Sequence, residues 1–85
     1  MSWSTSIRVV DDEGDPISGA KVTINFSIFT GIDTQYTDDD GWAEFSYDSI
    51  DDNKLWANDI YINSERVAGE CYIEDGETQS FTKPD

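Results

Sequence analysis

The feature that most constrains the fold is an alternation of apolar and polar residues with a period of two, repeated along most of the chain. Its clearest stretch covers residues 21–28, where every second side chain is apolar. Because successive side chains of a β-strand point to opposite faces, this pattern predicts a strand buried on one side and hydrated on the other. Almost no stretch has the three- and four-residue spacing of a helix, so the chain is predicted to be all-β. The apolar residues of this stretch are Val22, Ile24, Phe26 and Ile28.

The same alternation recurs in further short stretches, separated by turns rich in Asp, Asn and Gly. Asp40 and Gly41 form a strong hairpin signal. Short strands at this spacing favour a β-sandwich, and a last strand is expected around Phe81. We expect Val22, Ile24, Phe26, Phe45 and Ile60 to be buried together. The other side chains expected to face inward are Trp3, Ile7 and Val9; Ala43 and Tyr47; Trp56, Asn58 and Ile62; and Val67, Gly69, Cys71 and Ile73.

One predicted hairpin carries an internal conflict. If residues 63–66 form its turn, Ile62 faces Val67, and both strands then direct their apolar residues inward. The same register places Asp59 opposite Glu70, and like charges in directly opposed positions destabilise a sheet. The sequence therefore predicts either a local break in this register or a group that neutralises the two carboxylates.

Charge excludes two classes of partner. The chain of 85 residues carries 19 acidic and 5 basic residues, a formal net charge of −14. Nucleic acids and anionic lipid surfaces would be repelled, since affinity for both comes largely from Lys and Arg. No apolar run approaches the roughly 20 residues that cross a bilayer, so membrane insertion is not expected. Cys71 is the single cysteine, which leaves neither an internal disulfide nor a thiolate cluster for zinc.

The sequence predicts no catalytic residues and no cofactor. It contains no histidine, which removes the usual general base and the commonest metal ligand. Carboxylates are the remaining candidates, and two acidic turns could supply oxygen ligands to calcium. The alternative is that these Asp side chains bond to their own backbone, as Asp commonly does in turns; on that basis we expect little or no specific stabilisation by calcium. The candidate ligands are Asp38, Asp39, Asp40, Asp11 and Asp15.

Three aromatic residues are candidates for a binding surface. Trp42, Tyr61 and Tyr72 are expected on outer faces of the strands, where aromatic rings could stack on sugars or anchor a protein partner. The alternative is that a loop or another layer covers these rings. A coplanar exposed row would indicate carbohydrate binding, whereas buried or scattered rings would indicate a structural role.

Two segments resemble the carboxypeptidase regulatory-like domains. Residues 8–24 contain a strand, an acidic Gly turn and the Gly19-Ala20 pair, followed by an alternating strand; residues 37–45 contain a Thr-Asp turn that ends in Gly41 before a strand with inward aromatic residues. The resemblance covers a little over a third of the chain. It implies one domain over residues 1–85, folded as a seven-stranded antiparallel sandwich of the immunoglobulin-like or prealbumin-like kind.

The resemblance also implies a function. Such domains are mostly non-catalytic parts of larger proteins, so we expect a structural or interaction module of a secreted or cell-surface protein, with neighbouring domains as its partners. The alternative is a carbohydrate-binding accessory module attached to an enzyme. The first residues of the chain lack the basic start and apolar stretch of a signal peptide, so any such segment is expected outside these 85 residues.

Overall fold

The computed structural model describes residues 2–27, 31–48 and 53–83, and within them the chain forms seven β-strands and no helix. In those ranges no helix is long and apolar enough to cross a membrane. The predicted inward position of Ile28 lies outside the described residues. The strands are β1 (Ser2–Val10), β2 (Lys21–Phe26), β3 (Ile32–Tyr36), β4 (Trp42–Asp48), β5 (Lys54–Ile62), β6 (Glu65–Glu74) and β7 (Thr78–Thr82).

The strands form two sheets in a sandwich-like arrangement, which confirms the all-β prediction. The smaller sheet has the order β4-β1-β7, and the larger has the order β3-β2-β5-β6. The prediction of a fully antiparallel fold is wrong, because β7 runs parallel to β1, from the Ser6–Thr78 pair to the Val10–Thr82 pair. The physical reason is the route of the chain. After β6 the chain leaves the larger sheet and joins the smaller one beside β1, so no hairpin imposes an antiparallel direction on β7.

The core lies between the two sheets, as the alternation predicts. Val22, Ile24, Phe26, Phe45 and Ile60 are all buried, which confirms the expected core. Burial of these apolar side chains is the main stabilising contribution to so small a domain. Cys71 is partly buried against this core. The other buried apolar side chains are Trp3, Ile7, Val9, Ala20, Ala43, Leu55, Ala57, Ile62 and Ile73.

An aromatic cluster closes one end of the core. Trp3 stacks on Tyr47 with ring centroids 5.7 Å apart, and Phe26 meets each of these rings edge-on at 5.6 Å. The indole N–H of Trp3 donates to the carbonyl of Ile73 at 3.2 Å. This bond satisfies the polar atom of a fully buried side chain, which would otherwise be costly to desolvate.

The first half of β5 faces the opposite way from the prediction. Leu55 and Ala57 are buried, whereas Trp56 and Asn58 are only partly buried. The cause is a β-bulge. Asn25 pairs with Asp59 while Phe26 pairs with Ala57, so Asn58 is an extra residue relative to β2 and reverses the phase of the alternation.

The β5–β6 hairpin resolves the predicted charge conflict in both of the ways considered. Its turn is only Asn63-Ser64, and a second irregularity shifts the register, so Asp59 faces Gly69 rather than Glu70. Arg66 then reaches across to Asp59, with its Nε 2.7 Å from Oδ1, and this contact lowers the pKa of that carboxyl. Gly69 therefore lies on the outer face with Asp59, and its predicted inward position is wrong. A Cβ there would overlap the guanidinium of Arg66.

Candidate functional site

The first acidic turn is built around one carboxylate. Oδ1 of Asp11 accepts the backbone N–H groups of Glu13 at 2.9 Å and Asp15 at 3.0 Å. The carbonyl of Asp11 accepts the N–H of Gly14 at 3.0 Å, and its own N–H donates to the carbonyl of Asp15 at 2.8 Å. This carboxylate thus serves to satisfy the backbone of its own turn.

The second acidic turn repeats this bonding, atom for atom. Oδ1 of Asp38 accepts the N–H groups of Asp40 at 2.9 Å and Trp42 at 3.0 Å. The carbonyl of Asp38 accepts the N–H of Gly41 at 3.0 Å, and the N–H of Asp38 donates to the carbonyl of Trp42 at 2.9 Å. The two turns are copies of one local structure, specified by an Asp followed three residues later by Gly.

Both turns lie at the same end of the sandwich. The N–H of Val9 donates to the carbonyl of Gly41 at 2.8 Å, and the N–H of Ile17 donates to the carbonyl of Val9 at 3.0 Å. Arg8 donates through Nε to the carbonyl of Asp40 at 3.3 Å. Asp39 accepts the hydroxyl of Ser18 at 3.3 Å, a further link between the two loops.

This proximity does not assemble a metal site within the described ranges. Among those residues no group of three or more acidic or cysteine side chains is placed to hold an ion. Calcium takes about six to eight oxygens converging on one point. Here one oxygen of Asp11 and one of Asp38 already accept two backbone donors each.

We therefore expect millimolar calcium to raise the melting temperature no more than magnesium does at equal concentration and matched ionic strength. Diffuse attraction to the −14 surface acts on both ions alike. Specific binding would instead stabilise by about 2.7 kcal/mol at a hundredfold excess over the dissociation constant. Thermal unfolding in the two salts is the measurement. A calcium shift well above the magnesium shift, abolished by Asp40→Asn, would contradict this expectation.

The three predicted aromatic residues do not share a surface. Trp42 faces out from the smaller sheet, opposite Arg8, whose guanidinium carbon lies 5.8 Å from the centre of the Trp42 ring. Tyr61 and Tyr72 face out from the larger sheet, on the other side of the sandwich. The sandwich therefore separates Trp42 from the two tyrosines.

A different aromatic pair lies on the larger sheet. Trp56 and Tyr72 face each other across β5 and β6, with ring centroids 4.9 Å apart and planes at 76°. Nζ of Lys54 lies 4.3 Å from the centre of the Tyr72 ring, and the indole N–H of Trp56 donates to Asn58 at 2.9 Å. Trp56 was missed because it was predicted to face inward. The competing alternation of Leu55 and Ala57 is the sequence signal that could have identified it.

The structure also shows a polar contact between the sheets and an apolar edge that sequence reasoning missed. The hydroxyl of Tyr47 donates to Oδ2 of Asp33 at 2.6 Å, joining β4 to β3. Burial and this neighbouring carboxylate both raise the pKa of Tyr47, so its hydroxyl stays protonated at neutral pH.

On the outer face of β3, Ile32 is 63% exposed and Tyr36 is 64% exposed.

No protein-family profile, curated protein or solved structure matches this chain.

Proposed function

We propose that this domain is a non-catalytic structural module that holds neighbouring domains of a larger extracellular or cell-surface protein apart. The observation that carries the proposal is the pairing of β1 with β7. Because these neighbouring strands are parallel, Ser2 and Thr82 lie toward opposite ends of the sandwich. Chain attached before β1 and chain attached after β7 would therefore leave from opposite ends.

The dimensions support a spacer. The domain measures 38 × 21 × 17 Å, and a ten-residue strand such as β6 is about 33 Å long. The strands must therefore run along the longest axis, which is also the direction from Ser2 to Thr82. Because Thr82 lies level with Val10, each such module inserted into a chain would add roughly the length of β1, about 30 Å, to the separation of its neighbours.

We further propose that the fold is of the prealbumin-like kind. In a constant-type immunoglobulin domain the first, second, fifth and fourth strands form one sheet, and the third, sixth and seventh form the other. Here β1 lies between β4 and β7, while β2 and β5 are central to the larger sheet. This difference in strand order favours the prealbumin-like alternative.

The separation of the aromatic residues favours a structural role over sugar binding. Trp42 lies on one sheet, and Tyr61 and Tyr72 lie on the other. A row of rings that could stack along one oligosaccharide needs a common plane, and even Trp56 and Tyr72 are inclined at 76°. The net charge of −14 favours protein neighbours over nucleic acids or anionic membranes.

The spacer proposal predicts a high resistance to pulling along the chain. A force applied at Ser2 and Lys83 shears β1 against β7, so many backbone hydrogen bonds must break together. Single-molecule unfolding of a Ser2→Cys, Lys83→Cys variant in a Cys71→Ser background measures this force. The matched control carries attachment points at Ser2 and Asp48, which face each other across β1 and β4 and would be unzipped bond by bond. A shear force no higher than the unzipping force would contradict the proposal.

Carbohydrate binding remains the second candidate, because Tyr72 is 53% exposed beside Trp56. Affinity electrophoresis in gels that contain soluble polysaccharides distinguishes the two functions. We expect the wild-type domain and the Tyr72→Ala variant to migrate alike. Retardation of the wild type that is lost in Tyr72→Ala and kept in Trp42→Ala would favour the accessory-module function instead.

A further inference from the structure

The two edges of the larger sheet differ in how well they are protected from another strand. At the β6 edge, Glu65, Glu70 and Glu74 carry charge, and Glu70 has a φ of 51°, which interrupts the regular backbone. Charged side chains and irregular backbone are common means of blocking the edge of a sheet. This edge is therefore a poor template for pairing.

The β3 edge has little of this protection. Its single charged side chain, Asp33, is turned inward and accepts the hydroxyl of Tyr47. The outer face carries Ile32 and Tyr36, both more than 60% exposed, with Thr34 between them. An edge strand with a regular register, exposed apolar side chains and no outward charge is a surface on which another strand can add.

The hydrogen bonds at the two ends of β3 show which backbone groups are open, in the sense that they have no partner within residues 2–27, 31–48 and 53–83. The N–H of Phe26 donates to the carbonyl of Gly31, and the N–H of Thr37 donates to the carbonyl of Ala20. Because bonded and non-bonded pairs alternate in an antiparallel ladder, Asp33 and Gln35 must direct their backbone groups toward β2. The backbone groups of the residues between them then point away from β2. These residues are Ile32, Thr34 and Tyr36, the same residues whose side chains occupy the outer face.

We propose that β3 pairs with β3 of a second copy of this chain, antiparallel about a two-fold axis at Thr34. In that register Ile32 of each copy faces Tyr36 of the other, and Thr34 faces its own counterpart. The open N–H and C=O groups of all three residues are then satisfied in both copies. A two-fold contact requires a self-complementary surface, and this strand supplies one.

The charge pattern selects this register over its neighbours. With the axis at Thr34, Asp33 faces Gln35 of the second copy, whose amide can donate to the carboxylate. An axis one residue earlier would place Asp33 directly opposite its own counterpart, and opposed like charges are destabilising. An axis one residue later would leave the backbone groups of Ile32 without a partner. The register at Thr34 is therefore the one that satisfies both charge and backbone.

The contact should be weak and strengthened by salt. A single five-residue strand buries far less than the roughly 800 Å² per partner of a stable interface. Two chains of charge −14 also repel each other, and salt screens that repulsion over a distance of about 10 Å at 0.1 M. We expect a concentration-dependent dimer that tightens as sodium chloride is raised. This lateral contact is distinct from the end-to-end role proposed above.

Sedimentation equilibrium of wild type, Thr34→Lys and Thr23→Lys at high protein concentration tests the proposal. Both variants reduce the net negative charge by one and remove the hydroxyl contact between Thr23 and Thr34, which measures 2.9 Å. Only Thr34→Lys places two like charges on the axis, so it should weaken the dimer by about tenfold or more, while Thr23→Lys should not. Equal weakening by the two variants, or a wild type that stays monomeric in about 0.5 M sodium chloride, would overturn it.

Disulfide formation gives a second measurement that reports on the register. Residues that face each other in a hydrogen-bonded antiparallel pair have Cα atoms about 5.5 Å apart, a separation that a disulfide can span. In a Cys71→Ser background, Thr34→Cys should form linked dimers on oxidation faster than Thr23→Cys. Equal rates would overturn the proposal. So would a monomer whose Ile32, Thr34 and Tyr36 amides become protected from exchange only when a basic extended peptide is added, since the edge would then accept a foreign strand.

Discussion

Replacing Phe26 by alanine is expected to lower the free energy of unfolding by about 3–5 kcal/mol. The Phe26 side chain is only 4% exposed. Its ring meets the rings of Trp3 and Tyr47 edge-on, with centroid distances of 5.6 Å in both cases. Truncation would remove this apolar burial and leave a cavity among rings that cannot move far, because Trp3 is also bonded to Ile73. Urea unfolding followed by tryptophan fluorescence measures the loss.

Phe81→Ala is the matched control for this variant. Phe81 lies on β7, at the edge of the smaller sheet, and is only partly buried against the core. The same truncation there should cost about 1–2 kcal/mol, since water already reaches part of the ring. A loss below about 1 kcal/mol for Phe26→Ala, or a loss equal to that of Phe81→Ala, would show that the aromatic cluster is not the centre of the core.

Gly41→Ala is expected to cost about 2–5 kcal/mol for two reasons that add. Gly41 has a φ of 84°, a conformation that other residues adopt at a cost of about 1–2 kcal/mol. A Cβ at this position would also lie 2.7 Å from the carbonyl oxygen of Val9 and 3.1 Å from Cβ of Pro16. The backbone would have to shift where Val9 bonds to Gly41, and overpacking of this kind costs about 1–3 kcal/mol.

Gly14→Ala separates the two causes. Gly14 occupies the equivalent position of the first acidic turn with a φ of 88°, but a Cβ there would meet nothing within 4 Å. Its replacement should therefore cost only the backbone strain, about 1–2 kcal/mol. Chemical denaturation of the two variants measures the difference. If both variants lose the same stability, the close approach of Gly41 to Val9 contributes nothing and the expectation for Gly41 is wrong.

Alternation predicted the inward faces of the strands that contain no bulged residue. The inward positions in β1, β2 and β4 all follow from a period of two, because none of these three strands contains an extra residue that would reverse its own alternation. In β5 the same rule gave the wrong face to Trp56 and Asn58. Both phases of that stretch offer apolar residues, and the bulge that selects Leu55 and Ala57 arises from pairing with β2, more than 25 residues away in sequence. Local pattern contains no information about that distant partner.

The candidate site was predictable to a similar degree. The interpretation of Asp11 and Asp38 as caps of their own turns follows from local chemistry, and the structure confirms it for both. The outward direction of Trp42 and Tyr72 was also correct. Their separation was not predictable, because alternation distinguishes inside from outside but does not say which sheet a strand joins. The parallel direction of β7 was missed for the same reason.

The place of β1 also has a consequence for the order in which the fold can assemble. The larger sheet contains two pairs of strands that follow each other in the chain, β2 with β3 and β5 with β6, so each pair can form as soon as its residues leave the ribosome. The smaller sheet cannot be completed early in this way, since its central strand β1 is the first of the seven strands to be synthesised and its outer partner β7 is the last. Until β7 is synthesised, one edge of β1 lacks its hydrogen-bonding partner, and the indole N–H of Trp3 has no acceptor before Ile73 of β6 has been added. The domain can therefore complete its fold only after β7 has left the ribosome, and the residues of β1, although synthesised first among the strands, are among the last to form all their native contacts.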